Sequence, residues 1–72
     1  MPKTPVIYSD NPNVVPAKIF LKKSIFGEEW YVKWTKRGEA ISSTAEMKIG
    51  IGVRGGNYTL SGINFNYSVE WN

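Results

Sequence analysis

Apolar and polar residues alternate most regularly over residues 63–71. Apolar or aromatic side chains occupy every second position there, and the positions between them are polar. The apolar set is Ile63, Phe65, Tyr67, Val69 and Trp71. Because successive side chains of a strand point to opposite faces, this alternation predicts a strand with one buried face.

Three further segments predict strands. The odd-numbered residues from Met47 to Val53 form one apolar face, and the even-numbered residues from Trp30 to Trp34 form another. Residues 18–26 are also typical of a strand, with a less regular pattern. In that segment Phe20 and Phe26 lie on the face opposite Ile19, Leu21 and Ile25.

Glycines separate these segments. Gly27 and Gly38 mark predicted turns, and the run 55–57 (Gly-Gly-Asn) predicts a hairpin turn. The apolar positions are even-numbered at Tyr58 and Leu60 but odd-numbered from residue 63, so residues 61–62 predict a bulge or a tight corner. Residues 40–48 are ambiguous and compatible with a single helical turn.

All four prolines lie in residues 1–16, which therefore predict an extended or irregular N-terminal arm. Residues 6–8 (Val-Ile-Tyr) are able to add a short strand or to plug the core. Residues 17–72 predict a single β domain. The predicted fold is all-β, with four or five antiparallel strands in meander order that curl into a barrel or roll, or that are completed by dimerisation.

The amino-acid composition limits the ligands and the catalytic groups that this chain can provide. A chain of 72 residues forms one small domain with a thin core. It contains no cysteine and no histidine, which excludes disulfides and removes the usual ligands of zinc and haem. Serines have no histidine to activate them, and the acidic residues show no informative spacing. We therefore expect a non-enzymatic protein with no cofactor and no metal; a small nuclease using Glu, Tyr and Arg is a third, weaker hypothesis.

Two motifs have plain structural interpretations. Residues 50–55 match the dinucleotide fingerprint G-x-G-x-x-G, but the match falls within a strand pattern and no predicted helix follows, so we treat it as chance. Gly50 and Gly52 instead predict curvature or the close approach of a ligand or another chain. Trp30 and Trp34 share a face with Val32, which indicates core; a carbohydrate platform is the alternative.

The positive charge is concentrated in the first half of the chain. Residues 1–37 carry seven basic and three acidic residues (7 − 3 = +4), and residues 38–72 carry two and three (2 − 3 = −1). The sum, +3, suits an anionic partner. No apolar run approaches the length of a membrane span, and the first ten residues lack the apolar core of a signal peptide. We expect a cytoplasmic protein with no membrane partner.

Basic and aromatic residues are interleaved on the predicted face opposite the core. Aromatic rings on a sheet stack on bases while lysine and arginine contact phosphates, so this face predicts binding of single-stranded DNA or RNA. The candidate nucleic-acid-binding residues are Phe20, Lys22, Tyr31, Lys33, Lys36, Arg37, Lys48 and Arg54. Lys18, Phe26, Asn64 and Asn66 are expected on the same side.

Two alternatives remain open for this face. Phe20 and Phe26 are also compatible with packing against a second layer, formed by the arm or a second copy of the chain, with the lysines as solvated surface charges. The chain would then be a protein-interaction module, such as an inhibitor or an assembly subunit of a mobile element, that binds a protein partner through its arm or a sheet edge.

Overall fold

The computed structural model describes residues 4–38 and 45–72. These residues form strands and turns and contain no helix, which confirms the predicted all-β class. The strands are β1 (Pro5–Ser9), β2 (Val14–Ser24), β3 (Gly27–Lys36), β4 (Ala45–Ile49), β5 (Gly55–Leu60) and β6 (Ile63–Trp71). Within the described ranges, no helix has the length and apolar character that a membrane span requires.

The strands form two antiparallel three-stranded sheets, in the orders β1-β6-β5 and β2-β3-β4. The second sheet is a meander, but β6 lies between β1 and β5 in the first, so a meander through the whole chain is wrong. Six described strands replace the predicted four or five, because residues 5–9 pair with β6 as a strand of their own. Neither sheet closes on itself in the described residues, so the barrel is not confirmed.

The two sheets pack their apolar faces together. The buried apolar side chains come from every strand: Ile7, Val14, Val32, Trp34, Ile49, Leu60, Phe65 and Val69. The alternation in β6 is therefore confirmed, since Phe65 and Val69 face this core. The core interpretation of Trp34 is also confirmed, because its side chain is fully buried, and Trp30 packs against the same cluster.

The proline-rich segment takes part in this core where the structure describes it. Ile7 of β1 and Val14 at the start of β2 are both buried. Between them the chain turns through residues 10–13, where the Asn11 carbonyl accepts a hydrogen bond from the Val14 N–H at 3.1 Å. The predicted short strand at residues 6–8 is thus present, within β1.

The predicted strand over residues 47–54 ends early, at Ile49. A turn follows, in which the Val53 N–H donates to the Gly50 carbonyl at 3.1 Å and Gly52 has a φ of +93°. Ile51 therefore lies in solvent, 89% exposed, and its predicted core position is wrong. The physical reason is that the chain leaves one sheet for the other here. The Trp71 indole N–H holds the end of this turn, donating to the Val53 carbonyl at 2.8 Å.

The hairpin turn predicted at residues 55–57 is also displaced. Gly55 and Asn57 are paired residues of β5, opposite Ser68 and Asn66. The turn lies at Ser61 and Gly62, whose φ values are +50° and +81°, as a two-residue type I′ turn requires. In a hairpin with two loop residues an even-numbered position pairs with an odd-numbered one, which explains the change of parity there.

The β2–β3 hairpin has Ile25 and Phe26 as its two loop residues, between the paired Ser24 and Gly27. The core-facing position predicted for Ile25 is wrong, because Ile25 and Phe26 are 93% and 89% exposed at the tip. Gly27, the first residue of β3, and Gly38, just after its end, both have positive φ, as expected of turn glycines. In the window that was compatible with a helical turn, residues 45–48 lie in β4, and residues 40–44 are outside the described residues.

Candidate nucleic-acid interface

The outer surface of the β2-β3-β4 sheet carries the largest part of the predicted site. Val32 and Trp34 point inward from β3, so the alternate residues Tyr31 and Lys33 point outward. We call this surface the lysine face. It consists of Lys18, Phe20, Lys22, Glu29, Tyr31, Lys33, Glu46 and Lys48.

An irregularity in β2 brings three of these residues outward. The register with β3 shifts between Pro16 and Lys18, leaving Ala17 as an extra residue. Such a bulge moves the following side chains to the other face of the strand. Val14 faces the core before the bulge, and Ile19 packs against the core after it. Lys18, Phe20 and Lys22 therefore point outward, as predicted.

Two stacked rings lie at the centre of the lysine face. Phe20 and Tyr31 are cross-strand partners, and their ring centroids are 5.9 Å apart with an interplanar angle of 23°. Both rings are half-buried, because lysine side chains extend over them. The Lys18 and Lys33 ammonium groups lie 5.3 and 5.9 Å from the Phe20 centroid, and that of Lys22 lies 4.7 Å from the Tyr31 centroid. These separations are within the range of cation–π attraction.

Two of the four lysines are paired with carboxylates. Lys22 forms a salt bridge with Glu46, and Lys48 forms one with Glu29. The hydrogen bond to Glu46 raises the pKa of Lys22 above its ordinary value of 10.5, and the hydrogen bond to Glu29 does the same for Lys48. The lysine side chains are 49% and 57% exposed, so solvent and other anions reach these bridges.

Lys18 and Lys33 are in a different situation. They lie directly opposite each other on β2 and β3, and both ammonium groups approach the Phe20 ring. Like charges at directly opposed positions destabilise a sheet. Across the described parts of the chain, no carboxylate forms a salt bridge with either lysine. Glu46 is the neighbour of Lys33 on β4 but pairs with Lys22, so Lys18 and Lys33 are the two lysines of this face that no described carboxylate bridges.

The remaining predicted residues are not brought to the lysine face. Lys36 shares the parity of Val32 and Trp34, at the far end of β3. Arg37 follows it, and its Nε donates to the Pro12 carbonyl at 2.8 Å. The structure thus places Lys36 and Arg37 at the end of β3 and in the turn after it, as the sequence indicated, but not on the lysine face.

Arg54 lies outside the β2-β3-β4 sheet, so it does not continue the lysine face as predicted. It follows the turn that ends β4 and lies beside Ile51 and Trp71, and its carbonyl accepts a hydrogen bond from the Val69 N–H at 2.8 Å. Gly50 and Gly52 belong to the same turn, and Phe26 is at the hairpin tip. These glycines, Arg54 and Phe26 were predicted to lie within strands, but β2 already ends at Ser24 and β4 at Ile49.

Asn64 and Asn66 lie on the outer surface of the other sheet, so their predicted position beside the lysines is wrong. Asn57 and Asn64 exchange side-chain hydrogen bonds at 2.8 Å in both directions, and Asn66 accepts a third from Asn57 at 3.2 Å. The Asp10 carboxylate accepts hydrogen bonds from the Asn66 backbone N–H at 3.0 Å and from its side chain at 3.3 Å. These amides satisfy one another on the side of the molecule away from the lysines.

Sequence reasoning missed Glu29 and Glu46 as members of the site. The signal was present, because Glu29 precedes Tyr31 by two residues and Glu46 precedes Lys48 by two, which places each on the same face of its strand. The described residues contain no group of three acidic side chains able to hold a metal ion. Comparisons with protein-family models, with curated proteins and with solved structures each found no match.

Proposed function

We propose that this protein binds single-stranded nucleic acid through the lysine face and catalyses no reaction. The observation that supports this most directly is the opposed pair of Lys18 and Lys33 above the Phe20 ring. A phosphate between the two ammonium groups would relieve their repulsion. Four lysines around two stacked rings combine the phosphate contacts and the aromatic surface that single-strand binding uses.

The single-stranded form is favoured by the shape of the site. The face is the open side of a three-stranded sheet, with rings half-buried at its centre. In a duplex the faces of the bases are stacked on one another, whereas an unpaired base can reach Phe20 or Tyr31 once a lysine side chain swings aside. Stacking on such a ring is worth about 1–3 kcal/mol per base.

The first test measures binding of a fluorescently labelled oligothymidylate of about 20 nucleotides by anisotropy. We expect Lys18→Gln together with Lys33→Gln to weaken binding about tenfold or more at about 0.1 M salt, because two phosphate contacts are lost. The matched control is Lys23→Gln with Arg54→Gln. It removes the same charge from exposed residues outside the lysine face.

Two results would contradict the proposal. The first is undetectable binding of the wild-type protein at about 50 mM salt, where phosphate contacts are strongest. The second is an equal loss of affinity in both double variants, which would mean that overall charge and not this face attracts the oligonucleotide. The same oligonucleotide annealed to its complement tests the preference for single strands.

A second candidate, a protein-interaction module, is favoured by a separate observation. Three large apolar side chains stand in solvent at one end of the β2-β3-β4 sheet: Ile25, Phe26 and Ile51. Such a cluster is typical of a surface that another protein, or a second copy of this chain, covers. Capture of one stoichiometric protein partner, with no oligonucleotide binding, would favour this candidate over the first.

A further inference from the structure

Two carboxylates lie within the lysine face, where a nucleic-acid site would be expected to carry none. Resting on the proposed function, we infer that Glu29 and Glu46 hold half of the site closed and so select for flexible polyanions over small anions. They do this by occupying Lys22 and Lys48 in the free protein.

The geometry of the two salt bridges carries this inference. In the register of the sheet, Lys22 lies opposite Glu29, and Glu46 lies opposite Lys33. Lys22 nevertheless pairs with Glu46, two strands away. Its side chain therefore crosses β3, and its ammonium group lies 4.7 Å from the centroid of the Tyr31 ring.

The second bridge lies beside the same ring. Lys48 is the cross-strand neighbour of Tyr31, and it pairs with Glu29, which precedes Tyr31 by two residues on the same face of β3. The two bridges together thus flank and cover Tyr31. A base can stack on this ring only after they open.

The lysine face is therefore divided into two halves. The open half contains Lys18, Lys33 and Phe20, and its lysines have no carboxylate partner among the described residues. Lys22 lies at the boundary, because its ammonium group is also 5.9 Å from the Phe20 centroid. The closed half contains Tyr31 and the two bridges. A chain of phosphates bound to the open half raises the local concentration of anions beside the bridges and displaces the carboxylates. A single small anion lacks this second attachment and leaves the bridges intact.

The salt dependence of binding distinguishes the two states of the face. For single strands the slope of log K against log salt concentration is about −0.7 per phosphate contact. Lys18 and Lys33 contact phosphate in every complex, whereas Lys22 and Lys48 do so only in complexes whose bridges have opened, so we expect a wild-type slope between about −1.4 and about −2.8. Glu29→Gln with Glu46→Gln frees the other two lysines, so the slope should approach about −2.8 and the affinity at about 0.1 M salt should rise by up to roughly 25-fold.

The matched control is Glu28→Gln with Glu70→Gln. Both glutamates are exposed and neither belongs to the lysine face, yet the change in net charge is identical. Thermal unfolding of all variants checks that they fold. Glu46→Gln alone, which frees only Lys22, provides a milder variant whose slope is expected to lie between those of the wild-type protein and the double variant.

The outcomes separate this inference from the proposed function. Undetectable binding by the wild-type protein would reject both. Binding by the wild-type protein with equal slopes in the Glu29/Glu46 and control variants would reject only the closed half. A steeper slope and tighter binding confined to the Glu29/Glu46 variants would support it.

Discussion

At the scale of single residues, the core depends on contacts among aromatic rings. Phe65 is 2% exposed, and its ring lies 4.7 Å from that of Trp34 in an edge-on arrangement and 6.0 Å from that of Tyr58. Trp34 Nε1 is buried and has no hydrogen-bond acceptor in the described part of the chain. An unsatisfied buried donor costs about 1–3 kcal/mol, so the packing of these rings offsets a polar penalty at the centre of the molecule.

Phe65→Ala should therefore remove much of the stability of the domain. We expect a loss of about 3–5 kcal/mol in the free energy of unfolding, from the lost apolar burial and the cavity that remains. A domain of this size has about 4–11 kcal/mol in total. Urea unfolding followed by tryptophan fluorescence measures the change. Phe26→Ala is the control, because its ring is 89% exposed and its loss should cost no more than about 0.5 kcal/mol. Equal losses in the two variants would contradict the assignment of the core.

At the scale of secondary-structure elements, the turns decide where the strands lie. The β5–β6 hairpin closes through Ser61, the one residue other than glycine with a positive φ in the described chain, at +50°. Residues with a Cβ adopt this conformation at a cost of about 1–2 kcal/mol, which is smaller for asparagine. The Asn-Gly pair is accordingly favoured in type I′ turns.

Ser61→Asn should stabilise the protein by a few tenths of a kcal/mol up to about 1 kcal/mol, since the sequence at the turn becomes Asn-Gly. The midpoint of thermal or urea unfolding measures this. Ser61→Ala keeps the positive φ but lacks a polar side chain that can form local hydrogen bonds, so it should not increase the stability. If alanine stabilised as much as asparagine did, the turn would not have the type I′ geometry.

A strand could be predicted well where neighbouring residues in the sequence determine it, and less well where pairing with a distant strand does. β6 was predicted at every position, because its alternation runs unbroken and one face is buried. β2 was predicted less well, because the bulge at Ala17 changes the parity of the strand in a way that only its pairing with β3 reveals. The end of β4 was missed because Ile51 continues the apolar alternation into a turn that carries it into solvent.

At the scale of the whole molecule, the two sheets expose different kinds of side chain on their outer surfaces. The β2-β3-β4 sheet presents lysines and aromatic rings, and the other sheet presents hydrogen-bonded asparagines. Each of the two salt bridges joins residues on different strands of the β2-β3-β4 sheet, so unfolding of the domain breaks both. The raised pKa values of Lys22 and Lys48 therefore make unfolding depend on pH.

The direction of this dependence is fixed by the raised pKa values. Each lysine has a higher pKa in the folded protein than its ordinary value of 10.5, so its contribution to stability is fully present at neutral pH and is lost as the pH rises through the folded pKa. We expect the stability difference between the wild-type protein and the variant carrying Glu29→Gln and Glu46→Gln to shrink above about pH 10.5. Urea unfolding at a series of pH values measures it. A difference that stayed constant through this range would contradict a role of the bridges in stability.

The amino-acid sequence by itself determined the all-β class, the buried face of β6 and the outward direction of Phe20, Lys22, Tyr31, Lys33 and Lys48. These follow from a period of two residues, which is a local property of each strand. Only the tertiary structure decided which outward faces belong together. It separated Arg54 and the asparagines from the lysines, and it paired Glu29 and Glu46 with two of them, because sheet membership depends on turns and on pairings between residues far apart in the chain.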